Sequence, residues 1–210
     1  MSKTGEASIS EFSSDAFDYT VVQFTPDFKK FGLKGLDNDT LSLMKKRVYD
    51  LAGCSPGTVG VYLNGKKIPI KQFQDYTELY FEKNQESAVR IHDKNNPRWE
   101  ICVSLSETGT FQQVSFVNNI CTTRGGTHCA YISDQIVKKC ADTLSKKHKK
   151  LNIKPAQIKN NLWIFVNCLI ENPAFDSQTK ETLTLKKEKF GSSCELSEAF
   201  LKRVTSCGII

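Results

Sequence analysis

Leu162-Trp163-Ile164-Phe165-Val166-Asn167-Cys168-Leu169-Ile170 is the stretch on which the reading of the fold turns. Its first five residues are apolar without alternation, which predicts a central strand covered on both faces. With Asn167 interrupting it, the run falls far short of the roughly 20 apolar residues that a membrane helix needs.

Working outward, Trp99, Ile101, Val103 and Leu105 alternate with Glu100, Cys102 and Ser104, the pattern of a half-buried strand. Glu107-Thr108-Gly109 then turns the chain toward Phe111–Val117, so a long hairpin is expected. After Thr122–Thr127 a helix is expected from about Tyr131 to Ser145, with Ile132, Ile136, Val137, Cys140, Ala141 and Leu144 on its inner face. Further upstream, Tyr19–Phe24 reads as a strand closed by Pro26. Leu41, Met44, Val48 and Leu51 form a helix stripe, with Asp39 or Thr40 as cap and Gly53 as stop. Val59–Leu63 and Ile68–Ile70 flank Asn64-Gly65, a pair suited to a type I′ hairpin turn. Ser197 opens a last short helix through Leu201 and Val204. Helices set against a mostly antiparallel sheet place the chain in the α+β class.

The 210 residues fit one domain or two small ones, and 39% apolar with 25% charged residues fits a globular fold. Twenty-nine Lys and Arg against 23 Asp and Glu leave a net charge of +6, compatible with an acidic polymer as partner. Residues 1 to about 17 are rich in Ser, Asp, Glu and Gly and read as linker. Met1–Glu6 lacks the apolar region of a signal peptide. The eight cysteines contain no C-x-x-C pair and read as reduced thiols of an intracellular protein, without a zinc site.

Four places could carry chemistry. Arg124-Gly125-Gly126-Thr127-His128 offers glycine amides before a helix, as an anion cradle does, but completes neither G-x-x-x-x-G-K-[ST] nor G-x-G-x-x-G. The plainer expectation is a tight turn with Thr127 as helix cap. His128-Cys129 pairs a base with a thiol, yet neighbours at a helix start are expected to face apart, leaving a packing cysteine. Lys146-Lys147-His148-Lys149-Lys150 gathers cations at a helix end, fit either for backbone phosphates or for the helix dipole. No aromatic interleaves them, so base stacking is not implied. Asn172–Lys180 follows the most buried strand, so its root is rigid and its tip points outward, a setting that suits a lysine meeting a terminal phosphate.

From Asn161 through Glu181, with Asn172-Pro173-Ala174-Phe175-Asp176-Ser177-Gln178-Thr179-Lys180 at its heart, the chain closely resembles the transducer domain of eukaryotic type IIA DNA topoisomerases. Tyr62–Gly65, Arg98–Glu100, Gln112–Asn118, Gly125–His128, Phe190–Ser192 and Cys194–Ser197 fit the same family in the same order. The resemblance implies an α+β transducer fold with a left-handed βαβ crossover over 19–210, and residues 1–18 as linker or tail of a preceding GHKL-type ATPase domain. It implies that Gln178, Thr179 and Lys180 reach ATP held with Mg2+ by that domain, Lys180 on the γ-phosphate. It implies that Lys146, Lys147, Lys149 and Lys150 face double-stranded DNA, with small length differences around Lys150. The parent enzyme would be a nuclear homodimer that passes one duplex through another and involves no membrane. By the same resemblance this fragment lacks the ATPase core, the metal site for cleavage and the cleavage tyrosine, and alone would hold no catalytic residue. The rival reading is a stand-alone nucleic-acid-binding module of the same fold without catalysis.

Overall fold

A computed structural model describes residues 19–82, 88–147 and 153–208. The chain divides into two compact units, Met1–Asn38 and Asp39–Ile210. In the first, Asp27–Leu33 forms a tight turn in which Phe28 O accepts from the amides of Phe31 and Leu33, and Asp27 Oδ1 accepts from Lys30 N. The expected strand Tyr19–Phe24 is not formed. Tyr19, Val21, Val22 and Phe24 stay exposed. A segment of β-prone residues becomes a strand only when a neighbouring strand takes its amides and carbonyls, and no described strand pairs with this one.

The second unit is built on a five-stranded sheet, ordered β3-β4-β8-β5-β6. Its strands are β3 (Ile91–Asn96), β4 (Trp99–Leu105), β5 (Gln112–Val117), β6 (Ile120–Cys121) and β8 (Leu162–Cys168). Ahead of them lie α1 (Asn38–Cys54), the short pair β1 (Tyr62–Leu63) and β2 (Lys66–Lys67), and α2 (Phe73–Thr77). Between β6 and β8 run β7 (Gly125–Gly126), α3 (Thr127–Lys147) and α4 (Pro155–Asn160). After β8 come β9 (Thr182–Leu183) and α5 (Glu198–Ser206). The sheet is mainly antiparallel. Only β5 and β8 run parallel, joined through α3.

The expected hairpin between β4 and β5 does not exist, because β8 inserts between them. It pairs antiparallel with β4 from Trp99↔Cys168 to Leu105↔Leu162, and parallel with β5 from Gln112↔Trp163 to Val117↔Cys168. The most apolar strand takes the most protected place. Residues 106–111 therefore span a strand rather than close a two-strand turn.

Alternation along β4 and β8 sorts side chains onto two cores. Ile101, Val103, Ile164 and Val166 pack with Ile132, Ile136, Val137 and Cys140 of α3 and Phe200 and Val204 of α5. Cys102, Phe116 and Phe165 face the other way, against Cys54, Phe73 and Tyr76. Both faces are covered, so β4 is not half-buried as its alternation implied. Cys102 and Ser104 are as enclosed as Ile101. A small residue and a hydroxyl read as solvent-facing from sequence, yet they suit a face on which aromatic rings supply the bulk.

Helix α1 forms over the expected stretch but buries a different part of itself. Leu41 and Met44 are exposed, while Asp50, Ala52, Gly53 and Cys54 are buried. Gly53 does not stop the helix. A Cβ there would stand 2.3 Å from Cγ of Tyr76, so glycine lets that ring lie against the helix backbone. Tyr76 in turn donates to Asp50 Oδ1 at 2.7 Å, which also accepts from Lys46 Nζ at 2.9 Å. The Asn64-Gly65 hairpin forms as expected with both φ positive (50° and 77°), as a type I′ turn requires. The α3 face is borne out, and α5 opens with Ser197 Oγ accepting from Phe200 N at 3.1 Å. Strand β3 and helices α2 and α4 carried no clear period and went unread.

Candidate functional site

The loop after β8 is tied down at its root, along its legs and at its far end. At the root, Asn118 donates through Nδ2 to Ile170 O at 2.9 Å and accepts through Oδ1 from Ile170 N at 2.8 Å. Asn118 holds a φ of 50°, which asparagine tolerates better than most residues. The two legs then face each other. Phe175 and Leu183 form an antiparallel bridge, Thr184 N donates to Ala174 O at 2.9 Å, and Asp176 N donates to Thr182 O at 3.2 Å.

The tip holds the three residues expected to sense a nucleotide. Gln178 and Thr179 are exposed and Lys180 is half-buried. Lys180 N donates to Ser177 O at 3.1 Å, and the residue is held at a φ of 58°, a left-handed conformation that costs a non-glycine residue energy. Its Nζ stands 5.8 Å from the centre of the Phe175 ring. Hydrogen bonds from Thr182 and then Ser177 hold the Asp176 carboxyl below its usual range, so it remains ionised and keeps the turn closed. The structure thus brings Gln178, Thr179 and Lys180 together on one rooted tip.

The far leg docks on the start of α3. Gly125 and Gly126, as β7, pair in parallel with Thr182 and Leu183. Arg124 N donates to Glu181 O at 3.0 Å, and Arg124 Nε sits 3.0 Å from Glu181 Oε2. The glycine pair therefore serves this docking, and its backbone is not left to cradle an anion. Thr127 is not a cap either. It is already the first residue of α3, and its hydroxyl donates across to Leu185 O at 2.6 Å.

His128 and Cys129 do face each other, contrary to expectation, with Nε2 3.4 Å from Sγ. The fold permits it because α3 begins at once after the docked glycines and turns both side chains inward. Nε2 also lies 3.2 Å from Thr122 Oγ1, while Nδ1 has no partner. Burial lowers the imidazole to about 3 and pushes the thiol up to about 12. Proton transfer from thiol to imidazole is thus opposed from both sides, and the pair is packing rather than a nucleophile.

At the other end of α3, Lys146 and Lys147 are exposed in the last turn. Lys149 and Lys150 lie outside the described residues. Nearby Lys139 is paired with Glu198, and Lys159 lies 3.8 Å from Asp134 and over the Phe111 ring. The 21 residues of α3, at about 1.5 Å each, separate the docked loop from these lysines by about 30 Å. No described helix is long and apolar enough to cross a membrane.

Residues 62–206 match the DNA gyrase B family. The whole chain is 52% identical to DNA topoisomerase 2-beta of Gallus gallus, covering 13% of that protein. It is also 52% identical to DNA topoisomerase 2 of Arabidopsis thaliana, over 92% of the chain and 13% of that protein. The chain thus spans about an eighth of the length of these relatives. Among solved structures, the ATPase region of Saccharomyces cerevisiae topoisomerase II matches with a TM-score of 0.80 and 48% identity, over 88% of this chain and 47% of that one. The ATPase and transducer domains of DNA topoisomerase II from Balamuthia mandrillaris match with a TM-score of 0.75 and 44% identity, over 80% of this chain and 41% of that one.

His128 gives this region a pH signature. Its folded pKa of about 3 lies below the ordinary 6.5, so below pH 6.5 the unfolded chain binds a proton that the native state refuses. Stability is therefore lost as pH falls from 6.5 toward 3, by up to about 1.4 kcal/mol per pH unit from this group. Urea unfolding at pH 7 and pH 5 should show a smaller loss for His128→Gln than for wild type. Equal losses would mean that His128 titrates normally in the native state.

Proposed function

Because the chain belongs to the DNA gyrase B family, we propose that residues 19–210 act as the transducer of an ATP-dependent type II DNA topoisomerase, with residues 1–18 as linker or tail of a preceding ATPase domain. The parent, a nuclear homodimer, passes one DNA duplex through a break in another. The observation that carries this reading is the tip Gln178-Thr179-Lys180, held outward on a loop tied at its root to Asn118 at the end of β5 and at its far end to β7, just before α3. The extent of the match to the Balamuthia ATPase and transducer structure supports it. The β5–α3–β8 connection is assigned the left-handed crossover of the transducer fold.

In this reading ATP and Mg2+ are held mainly by the ATPase domain, and this chain contributes the ammonium of Lys180. An ammonium is a compact charge with three donors, suited to a terminal phosphate oxygen. Its left-handed backbone and the closed turn fix the root of that side chain before nucleotide arrives, so only the side chain is ordered on binding. ADP offers no γ-phosphate to pair with it. Hydrolysis and phosphate release remove the partner, and the loop and whatever is rigidly joined to it are then released. Lys146, Lys147, Lys149 and Lys150 face the captured duplex and contact its phosphates rather than its bases.

In the full-length parent, Lys180→Ala lowers ATP turnover by about 100- to 1000-fold and impairs relaxation of supercoiled plasmid while circular dichroism stays native. Lys180→Arg restores activity only in part. A folded Ala variant with wild-type turnover and relaxation would reduce Lys180 to a surface lysine.

For the basic cluster, each neutralised phosphate contributes about −0.9 to the slope of log affinity against log salt. Replacing Lys146, Lys147, Lys149 and Lys150 by Ala should flatten that slope equally for unrelated duplex sequences. An unchanged slope would make the cluster a solvated helix end.

A further inference from the structure

Lys180 does not hold its own position. The loop that carries it touches α3 through a two-residue parallel pair, one ion pair and one hydroxyl, and these contacts have no part in β8 or its root. We infer that Arg124, Gly126 and Thr127 form a clamp that positions the Lys180 tip, so that the start of α3 sets where the phosphate-sensing charge stands. The inference rests on the sensing role proposed for Lys180.

Three observations converge. Gly126 pairs with Leu183, and its φ of 135° belongs to glycine. A Cβ there would meet Leu183 O at 2.3 Å and Leu183 N at 2.6 Å, both backbone atoms that cannot swing aside. Thr127 Oγ1 reaches the next turn of the same leg at Leu185 O, 2.6 Å away. Arg124 holds Glu181, the residue directly after Lys180, through both its backbone amide and its guanidinium. The leg from Glu181 to Leu185 is thereby fixed along one side of the helix start. Lys180 sits at its upstream end, in a left-handed conformation closed by its bond to Ser177 O. None of the three residues needs to touch a nucleotide, so they are positioning residues.

The test is a double-mutant cycle on ATP turnover in the full-length parent. Thr127→Val keeps the shape and removes the donor, and Gly126→Ala drives a methyl group into the Leu183 backbone. Each should lower kcat by about 10- to 100-fold, the scale of a misplacement near 1 Å, with KM for ATP unchanged because the nucleotide is held mainly elsewhere. In the Lys180→Ala background the same changes should cost nothing further, since they act only through that ammonium. If Gly126→Ala fails to fold by circular dichroism, Thr127→Val decides. Wild-type kcat in the folded Thr127→Val variant, or a loss that adds in full to that of Lys180→Ala, overturns the clamp while leaving the sensor intact. Wild-type turnover in Lys180→Ala itself brings down the sensor and the clamp together.

Discussion

Strand β8 pairs with β4 along its whole length and with β5 along nearly all of it, and side chains from both of its faces enter separate cores. Every other feature follows from satisfying that strand. Its amides and carbonyls need neighbours on two sides, so β4 and β5 are held apart although they follow each other in sequence. Its Ile164 and Val166 face needs a helical layer, which α3 and α5 supply. Its Phe165 face needs aromatic partners, and Tyr80, Phe81 and Phe116 crowd that side with the end of α1 closing it. Fully burying side chains of this size contributes about 1.5–3 kcal/mol each, and the loop leaving the end of β8 starts from the best anchored point in the chain.

Rigidity and charge are divided along α3. Its buried middle contains Ile132, Ile136 and Cys140, none of them accessible to water. Its first turn receives the loop with Lys180, and its last turn presents Lys146 and Lys147 about 30 Å away. Packed from His128 to Cys140, α3 is a rigid spacer between the two ends. Buried thiols and the buried imidazole stay neutral. Burial raises the thiols of Cys54, Cys102 and Cys194 to about 12 and lowers His128 to about 3. In the described core these groups therefore carry packing, and Lys146, Lys147 and Lys180 lie outside it.

Strong local signals in the sequence were legible. The apolar run of β8, the inner face of α3, the Asn64-Gly65 turn and the Ser197 cap each declare themselves within a few residues, because burial and turn geometry are local demands. What failed depended on partners distant in the chain. Tyr19–Phe24 has the composition of a strand but no described neighbour to pair with. The stripe of α1 has a helical period, yet only the end that meets Tyr76 is covered. Phe111–Val117 follows β4 through a good turn, and nothing local reveals that β8 will come between them. The site divides the same way. Lys180 was found by resemblance, whereas its docking through Gly125-Gly126 was hidden, because a glycine pair before a helix reads equally as turn, cradle or close contact. The lack of room for a Cβ at Gly126 becomes informative only once Leu183 is seen beside it.

The proposed role of Lys180 requires its ammonium to meet a phosphate while its loop keeps its docked shape. The direct measurement is a structure of the full-length parent with a non-hydrolysable ATP analogue and another with ADP. It should place Lys180 Nζ within about 3.2 Å of a γ-phosphate oxygen in the first, with Gly126 still paired to Leu183, and without a phosphate partner in the second. A Lys180 ammonium turned away from the analogue, or equally placed with both nucleotides, would contradict it.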